Sequence, residues 1–403
     1  MTANGSRRDR SRLDLDVAGL DQGGALLLRR ALRRVAVGDE IEVTGRTADL
    51  AIHVRGFCRE AGHRFAIEDD RLVVTRGSAE EDRRVGAERA GQPSRAGGAV
   101  AERPSPRWGL AARGALVEAG GPSFAFGLGD KDEVWADDAA QLYAQAAANQ
   151  WDPEKAIPWA TPFVIDDEVE DAIVQLMTYL IENETAALLV PARFVARIHP
   201  HFREVMQLLA IQVADEARHI EVFTRRALLR RDALGLSTAG GQASLKTLID
   251  EPSFALGSFL LSVLGEGTFL SLLWFVHAHA PDPVTRDVVR LAAQDEARHV
   301  SFGLSHLSRH LAREPGFSRE LVLAVERRHD ALRSTAGLNA EVWESLVLLA
   351  AGSFAPADVV RGHAAVQALE REMEEKRAKR LERMGFDPAE ARTLSELHTK
   401  NFM

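Results

Sequence analysis

The sequence predicts a mainly α protein, a four-helix bundle with extra helices, preceded by a small domain of order β-α-β-α-β-β. Three observations lead there. Apolar positions recur with helical period over most of the chain after Trp108. Residues 12–76 instead alternate short strand-like and helical stretches. The pentapeptide Asp-Glu-Ala-Arg-His occurs twice, at 215–219 and 295–299, each time on the second helix of a helical pair.

In the first domain, "LDLDVAG" alternates as a strand, and "GGALLLRRALRRV" has Leu26, Leu27, Leu28 and Leu32 on the apolar side of a helix. "DEIEVTG" is the second strand. "RTADLAIHVRGFCREAG" is the second helix, with Thr47 as its N-cap. "RFAIEDD" and "RLVVTRG" close the unit as a hairpin turning at Asp69-Asp70. Residues 77–106 are rich in Gly, Ala, Arg, Glu and Pro without apolar period, which predicts a flexible linker. Residues 107–403 form the helical domain, with a short helix over 137–150 and long helices over 166–198, 200–232, 253–280 and 283–313. The core bundle thus spans about 165–313, with "GLSTAGGQASL" as the loop at 235–245 between the two pairs. Further helices are expected over 318–335, 338–352, 357–384 and 387–400. The charged "REMEEKRAKRLERM" is expected to be a solvated surface, with packing against a second subunit in a homodimer as the alternative.

Composition narrows the function. A net charge of −9 argues against a general nucleic-acid binder, which would be basic. The single cysteine, Cys58, allows no intrachain disulfide and suits a reducing, cytoplasmic location. The Arg-rich start lacks the apolar core of a secretory signal. The longest apolar run, 254–280, carries Glu266 at its centre, so it reads as a core helix and no membrane span is expected.

The chemistry lies in the repeat. Glu216 and His219 are three residues apart, as are Glu296 and His299, so each pair shares one helix face. Each pair follows a helix with a glutamate in an apolar run: Glu266 in the second half, Glu182 or Glu184 in the first. Glu184 shares its face with Met177, Leu180, Ile181 and Leu188, whereas Glu182 lies with the more polar Gln175, Thr178 and Tyr179; Glu184 is therefore the preferred ligand and Glu182 the alternative. The spacings to the Glu-x-x-His glutamates are 32 and 30 residues, one helix up and one back. One Glu from each of two helices with Glu-x-x-His from each of two others is the ligand pattern of two-metal carboxylate bundles. Carboxylates and imidazoles suit iron or manganese. Asp215 and Asp295 are candidates to hold the ring N–H of a liganding histidine from the opposite hairpin, and Arg218 and Arg298 to balance charge.

These residues resemble the ferritin-like di-iron superfamily. Over about 135–312, "ENETAALLVPARFV", "LLAIQVADEARHIEVF" and the lead-in "LYAQAAANQWDPEKAIPW" are similar to bacterial ferritin-like oxygenases, including p-aminobenzoate N-oxygenase relatives. The resemblance implies Glu184, Glu216, His219, Glu266, Glu296 and His299 as metal ligands. It implies two iron ions cycling between Fe2+ and Fe3+, with manganese or a mixed Mn/Fe pair as the alternative. N-oxygenases of that type carry a further histidine ligand where this chain has Ala292, and His277 and His279 lie elsewhere, so arylamine N-oxygenation stays open but draws no support from this detail.

Residues 12–76 resemble small sulfur-relay domains of the TusA type. Those use a Cys-Pro pair at the start of the first helix, where this chain has Gln22-Gly23. Cys58 in "GFC" is a candidate reactive thiol against the alternative of a half-buried packing residue, and the domain is expected to be a docking module for a protein partner.

The expected function is that of an O2-activating di-iron oxygenase or oxidase, taking O2, a small organic substrate and electrons from an external donor. Leu180, Phe269, Leu273 and Val300 would line the site, and Tyr179 is a candidate hydrogen-bond or electron donor. The indoles of Trp151, Trp159 and Trp274 are read as packing. The alternatives are ferroxidase and iron storage or manganese-dependent peroxide removal, and a non-catalytic helical scaffold.

Overall fold

The computed structural model describes residues 10–92, 100–333 and 340–397. Parts of three sequence expectations lie outside these residues: the middle of the 77–106 linker, the join between the 318–335 and 338–352 helices, and the last turn of 387–400. The chain forms two compact units, Met1–Ala90 with Gly114–Ser123, and Gly91–Arg113 with Phe124–Met403.

The first unit runs β1 (Ser11–Asp14), α1 (Gly24–Leu32), β2 (Glu40–Thr44), α2 (Leu50–Ala61), β3 (Arg64–Glu68) and β4 (Arg71–Thr75), the order read from the sequence. Its sheet order is β1-β2-β4-β3, with β1 parallel to β2 and the other neighbours antiparallel. The β3–β4 turn places both Asp69 and Asp70 at positive φ, the two-residue geometry that matches strand twist. Three details differ from expectation. On α1, Leu28 and Leu32 enter the core while Leu26 and Leu27 face solvent. The N-cap of α2 is Asp49, not Thr47. Within 77–106, α3 (Ala79–Asp82) and β5 (Glu88–Arg89) form, and β5 pairs with β6 (Leu116–Val117), so this part is folded rather than a bare linker.

The second unit is helical. Short helices α4 (Lys131–Val134), α5 (Ala139–Ala148) and α6 (Pro153–Ala156) precede α7 (Asp167–Val195) and α8 (Arg203–Ala227). Next come α9 (Ala239–Ile249), α10 (Phe254–Ser258), a π-helical segment (Phe259–Glu266), α11 (Gly267–His279) and α12 (Pro283–Arg313). The chain closes with α13 (Phe317–Leu332), α14 (Ala340–Ala351), α15 (Pro356–Arg383) and α16 (Pro388–Leu397). α7 packs on α8, and the π segment with α11 packs on α12; α8 meets α12 between them, and α5 lies on both. Asp282 accepts from the Thr285 amide and Pro283 stands at N1, which explains why α12 begins where its sequence predicts.

Three corrections concern this unit. The expected loop at 235–245 contains the start of α9: Thr238 caps it, and buried Leu245 and Leu248 repay its two glycines. The 253–280 helix is not regular, since its second to fourth turns are π-helical. The charged stretch of α15 is not simply solvated, because Met373, Arg377, Ala378, Arg380 and Leu381 are buried. Phe254–His279 is long and apolar enough to cross a bilayer, but 83% of its most apolar window is buried inside the protein, as befits a core helix.

Candidate metal centre

Four helical segments bring six side chains together. Glu184 comes from α7, Glu216 and His219 from α8, Glu266 from the end of the π segment, and Glu296 and His299 from α12. Ligand atoms of Glu184, Glu216, His219 and Glu296 lie within 4.8 Å of one another, as do those of Glu216, Glu266, Glu296 and His299. Two metal positions are thus outlined, with Glu216 and Glu296 common to both. This is the ferritin-like arrangement.

His219 Nδ1 lies 3.1 Å from Glu216 Oε2, 3.3 Å from Glu296 Oε1 and 3.6 Å from Glu184 Oε1. His299 Nδ1 lies 3.0 Å from Glu216 Oε1 and 3.3 Å from Glu296 Oε2. The other ring nitrogens point outward, each to the aspartate of the opposite repeat: His219 Nε2 is 3.1 Å from Asp295 and His299 Nε2 is 3.4 Å from Asp215. An aspartate accepting at Nε2–H leaves Nδ1 as the nitrogen that would coordinate a metal once its proton is displaced. Arg218 bridges Asp215 (2.5 Å) and Asp295 (2.8 Å), while Arg298 pairs with Asp295 and approaches Asp215 at 3.5 Å.

Charge balance explains the burial. All six side chains are at most 2% exposed. Burial first, and then the charges of Glu216 and Glu296, raise Glu184 well above the carboxylate range. Burial, Glu296 and Glu216 do the same to Glu266, with His299 opposing. Burial disfavours the charged forms of His219 and His299, yet the surrounding carboxylates win and raise both well above the imidazole range. For Glu216 the imidazoles outweigh burial and hold it below the carboxylate range. Protons thus supply the positive charge that four clustered carboxylates demand.

The residues fit a metal pair. Glu266 Oε2 is buried without a hydrogen-bond donor, and Glu184 Oε1, Glu216 Oε1 and Glu296 Oε1 have only an imidazole nitrogen beside them, at 3.6, 3.0 and 3.3 Å, a costly crowding of carboxylates that a cation relieves. Oxygen donors with one nitrogen per position match iron or manganese. Loading must displace the site's protons, so binding is expected to tighten as pH rises. Calorimetric titration with Mn2+ in buffers of different ionisation enthalpy should show release on the order of one proton per ion; heats independent of buffer would refute this.

The remaining sequence candidates separate clearly. Glu182 is only half buried and lines a groove between α7 and α9 with Lys246 and Asp250, away from the cluster. Glu184→Ala is therefore expected to lose metal while Glu182→Ala keeps the parental complement, measured by elemental analysis; the reverse pattern would exchange the two. Tyr179 is buried, with Arg328 and Glu182 as its charged neighbours rather than the cluster, and burial raises its hydroxyl so that it stays protonated. Ala292 is buried within α12, and His277 and His279 sit at the end of α11. Cys58 is buried in the first unit's core, where desolvation pushes its thiol up to about 11, the setting of a packing residue.

Several participants carried no sequence signal of their own. Gln212 donates to Glu266 Oε1 at 3.2 Å. Gln150 donates to Asp215, and Trp151, read as packing, donates its indole N–H to Asp295, both at 2.8 Å. The Gln150 and Trp151 links come from the lead-in before the bundle, whose positions no helical period reveals. Gly303, four residues after His299, lets α12 approach the π segment: a Cβ there would lie 2.6 Å from that of Ser262.

No family model and no curated protein sequence matches this chain. Solved structures similar to it include three variants of R2-like ligand-binding oxidases. One, reconstituted with Mn/Fe, is 16% identical over 61% of this chain and 93% of its own, with a TM-score of 0.47. A second, with Fe/Fe, is 15% identical over 61% and 92%, with a TM-score of 0.46. A third, with Mn/Fe, is 17% identical over 64% and 96%, with a TM-score of 0.45.

Proposed function

We propose that this chain is an O2-activating oxidase or oxygenase holding two iron ions, or a manganese–iron pair, in the six-residue site and acting on a small organic molecule. The observation that supports it most is the set of four buried carboxylates drawn together around two imidazoles that are already oriented by aspartates. When bound, such a pair supplies electrons to O2. The protein's own side chains do the rest. Glu216 and Glu296 serve both positions, Gln212 orients Glu266, and Asp215 and Asp295 fix the imidazoles. Leu180, Phe269, Leu273 and Val300 are buried in the same core, an apolar setting that keeps bulk water out.

A cavity of about 20 Å³ is lined by Gln212, which donates to Glu266, and by Ser262, Phe194, Leu209, Phe254 and Phe302. That is room for about one water-sized molecule. An organic substrate of ordinary size needs side chains such as Phe254 or Phe302 to move. Trp151, half-buried and bonded to Asp295, which in turn meets His219, offers a connected route inward for electrons from an external donor. The first unit is assigned as a docking module for a protein partner. Gln22-Gly23 offers no thiol at the start of α1, and Cys58 is buried in the core, which favours docking over sulfur transfer.

Rapid mixing of the Fe2+-loaded protein with O2 tests the proposal. An enzyme oxidises about two iron ions per chain and then stops with the metal retained. Continued uptake of added iron into a mineral core would overturn the proposal in favour of storage, and absence of any O2 reaction would leave the scaffold reading.

A further inference from the structure

The two metal positions are alike in ligands but not in backbone. Glu184 projects from the regular helix α7, whereas Glu266 ends the π segment Phe259–Glu266. A π helix bonds each N–H five residues back, and an α helix four. Where π returns to α, one carbonyl is therefore skipped. Gly267, at the junction, directs its N–H to Ser262 among its acceptors, which places the skipped carbonyl at Val263. Arg380 of α15 donates its Nε to that carbonyl at 2.8 Å.

Other contacts join the same junction. Arg380 Nη2 and Arg377 Nε approach Thr268 Oγ1 at 3.4 and 3.2 Å, and Thr268 donates to the Leu264 carbonyl at 2.6 Å. Arg377 is anchored in turn on the Ser395 carbonyl of α16 at 2.7 Å. Gly267 makes room, since a Cβ there would lie 2.5 Å from Arg380 Nε. Both guanidiniums are buried, and no carboxylate among the described residues closes an ion pair with either. Burying a cation without a counter-charge is costly, so its hydrogen bonds to this junction are the gain that offsets the burial.

We propose that Arg380 is a positioning residue: seated against Gly267, it pins the π-to-α junction and thereby sets where the Glu266 carboxylate stands in the metal centre. This rests on the two-metal reading, and it gives α15 and α16 a task at the site. Arg380 hydrogen-bonds to Val263 and Thr268 rather than to any of the six clustered side chains. Its loss should weaken one metal position and spare the other.

The test uses the full chain and Mn2+ alone, followed by electron paramagnetic resonance. The parent is expected to bind two ions with an exchange-coupled signal. Arg380→Met should bind its second equivalent at least ~10-fold more weakly and show the six-line signal of an isolated ion. Gly267→Ala keeps both arginines but displaces the guanidinium, so it should give the same result if Arg380→Met fails to fold. Arg380→Lys, which retains a donor, should recover the coupled signal in part. Amide hydrogen exchange over 259–268 in the metal-free protein provides a second readout, expected to quicken in both displacing variants. Coupled pairs and unchanged exchange in those variants would overturn the proposal, as would equal weakening of both positions in folded protein. A parent that binds no pair would defeat the two-metal reading instead, while the exchange arm would still report on the pinning.

Discussion

Glu216→Ala is expected to empty both metal positions, whereas Glu184→Ala empties one. Glu216 belongs to both ligand groups, within reach of Glu184 and His219 on one side and of Glu266 and His299 on the other. Its two oxygens already face the two imidazoles, at 3.1 Å from His219 and 3.0 Å from His299. Removing it takes a donor from each position and leaves fewer charges to hold either cation. Elemental analysis after loading should fall from close to two ions per chain to well below one for Glu216→Ala, and to about one for Glu184→Ala. Glu296 is shared in the same way and should behave like Glu216. Equal losses in the Glu216 and Glu184 variants would contradict the shared-ligand geometry.

The largest expected effect on stability lies a few turns away, at Arg226. This side chain is fully buried near the end of α8 and ties three elements together. It donates to both oxygens of Glu170 on α7, at 2.8 and 3.0 Å, to Asp282 at 2.9 Å and to Thr285 at 2.6 Å, at the start of α12. Arg226→Met would leave two buried carboxylates without their cation. Removing one partner of such a network costs about 3–5 kcal/mol. For a unit of about 300 residues that corresponds to a fall in Tm of roughly 5–8 °C. Thermal unfolding followed by circular dichroism measures it, and a fall below about 2 °C would show the network to be dispensable.

Reading the chain alone went furthest where the signal is local. The long helices follow from apolar period, and α12 also from its Asp282-Pro283 start. The repeated Glu-x-x-His and the two glutamates on apolar helices placed all six clustered side chains, and the polar company of Glu182 already favoured Glu184. Where reading failed, the cause was non-local. The α9 segment looks like a loop because Gly240 and Gly241 are poor helix formers, yet packing of Leu245 and Leu248 pays for them. The uniform apolar run before Glu266 has no period from which a π helix could be told apart from an α helix. Arg377 and Arg380 look solvated in a charged run because their acceptors are backbone and hydroxyl oxygens far away in the chain, as with Val263, 117 residues before Arg380.

The sequence by itself determined which donor atoms this protein has and which pairs share a helix face, because three-residue spacing on a helix is a local geometric fact. Only the tertiary structure decided that Glu216 and Glu296 belong to both ligand-atom groups, that each histidine answers to the aspartate of the other repeat, and that Glu266 ends a π segment whose Val263 carbonyl accepts from Arg380 of α15. Those relations join residues up to 117 positions apart, and they are set by how buried helices pack and where unpaired carbonyls find donors.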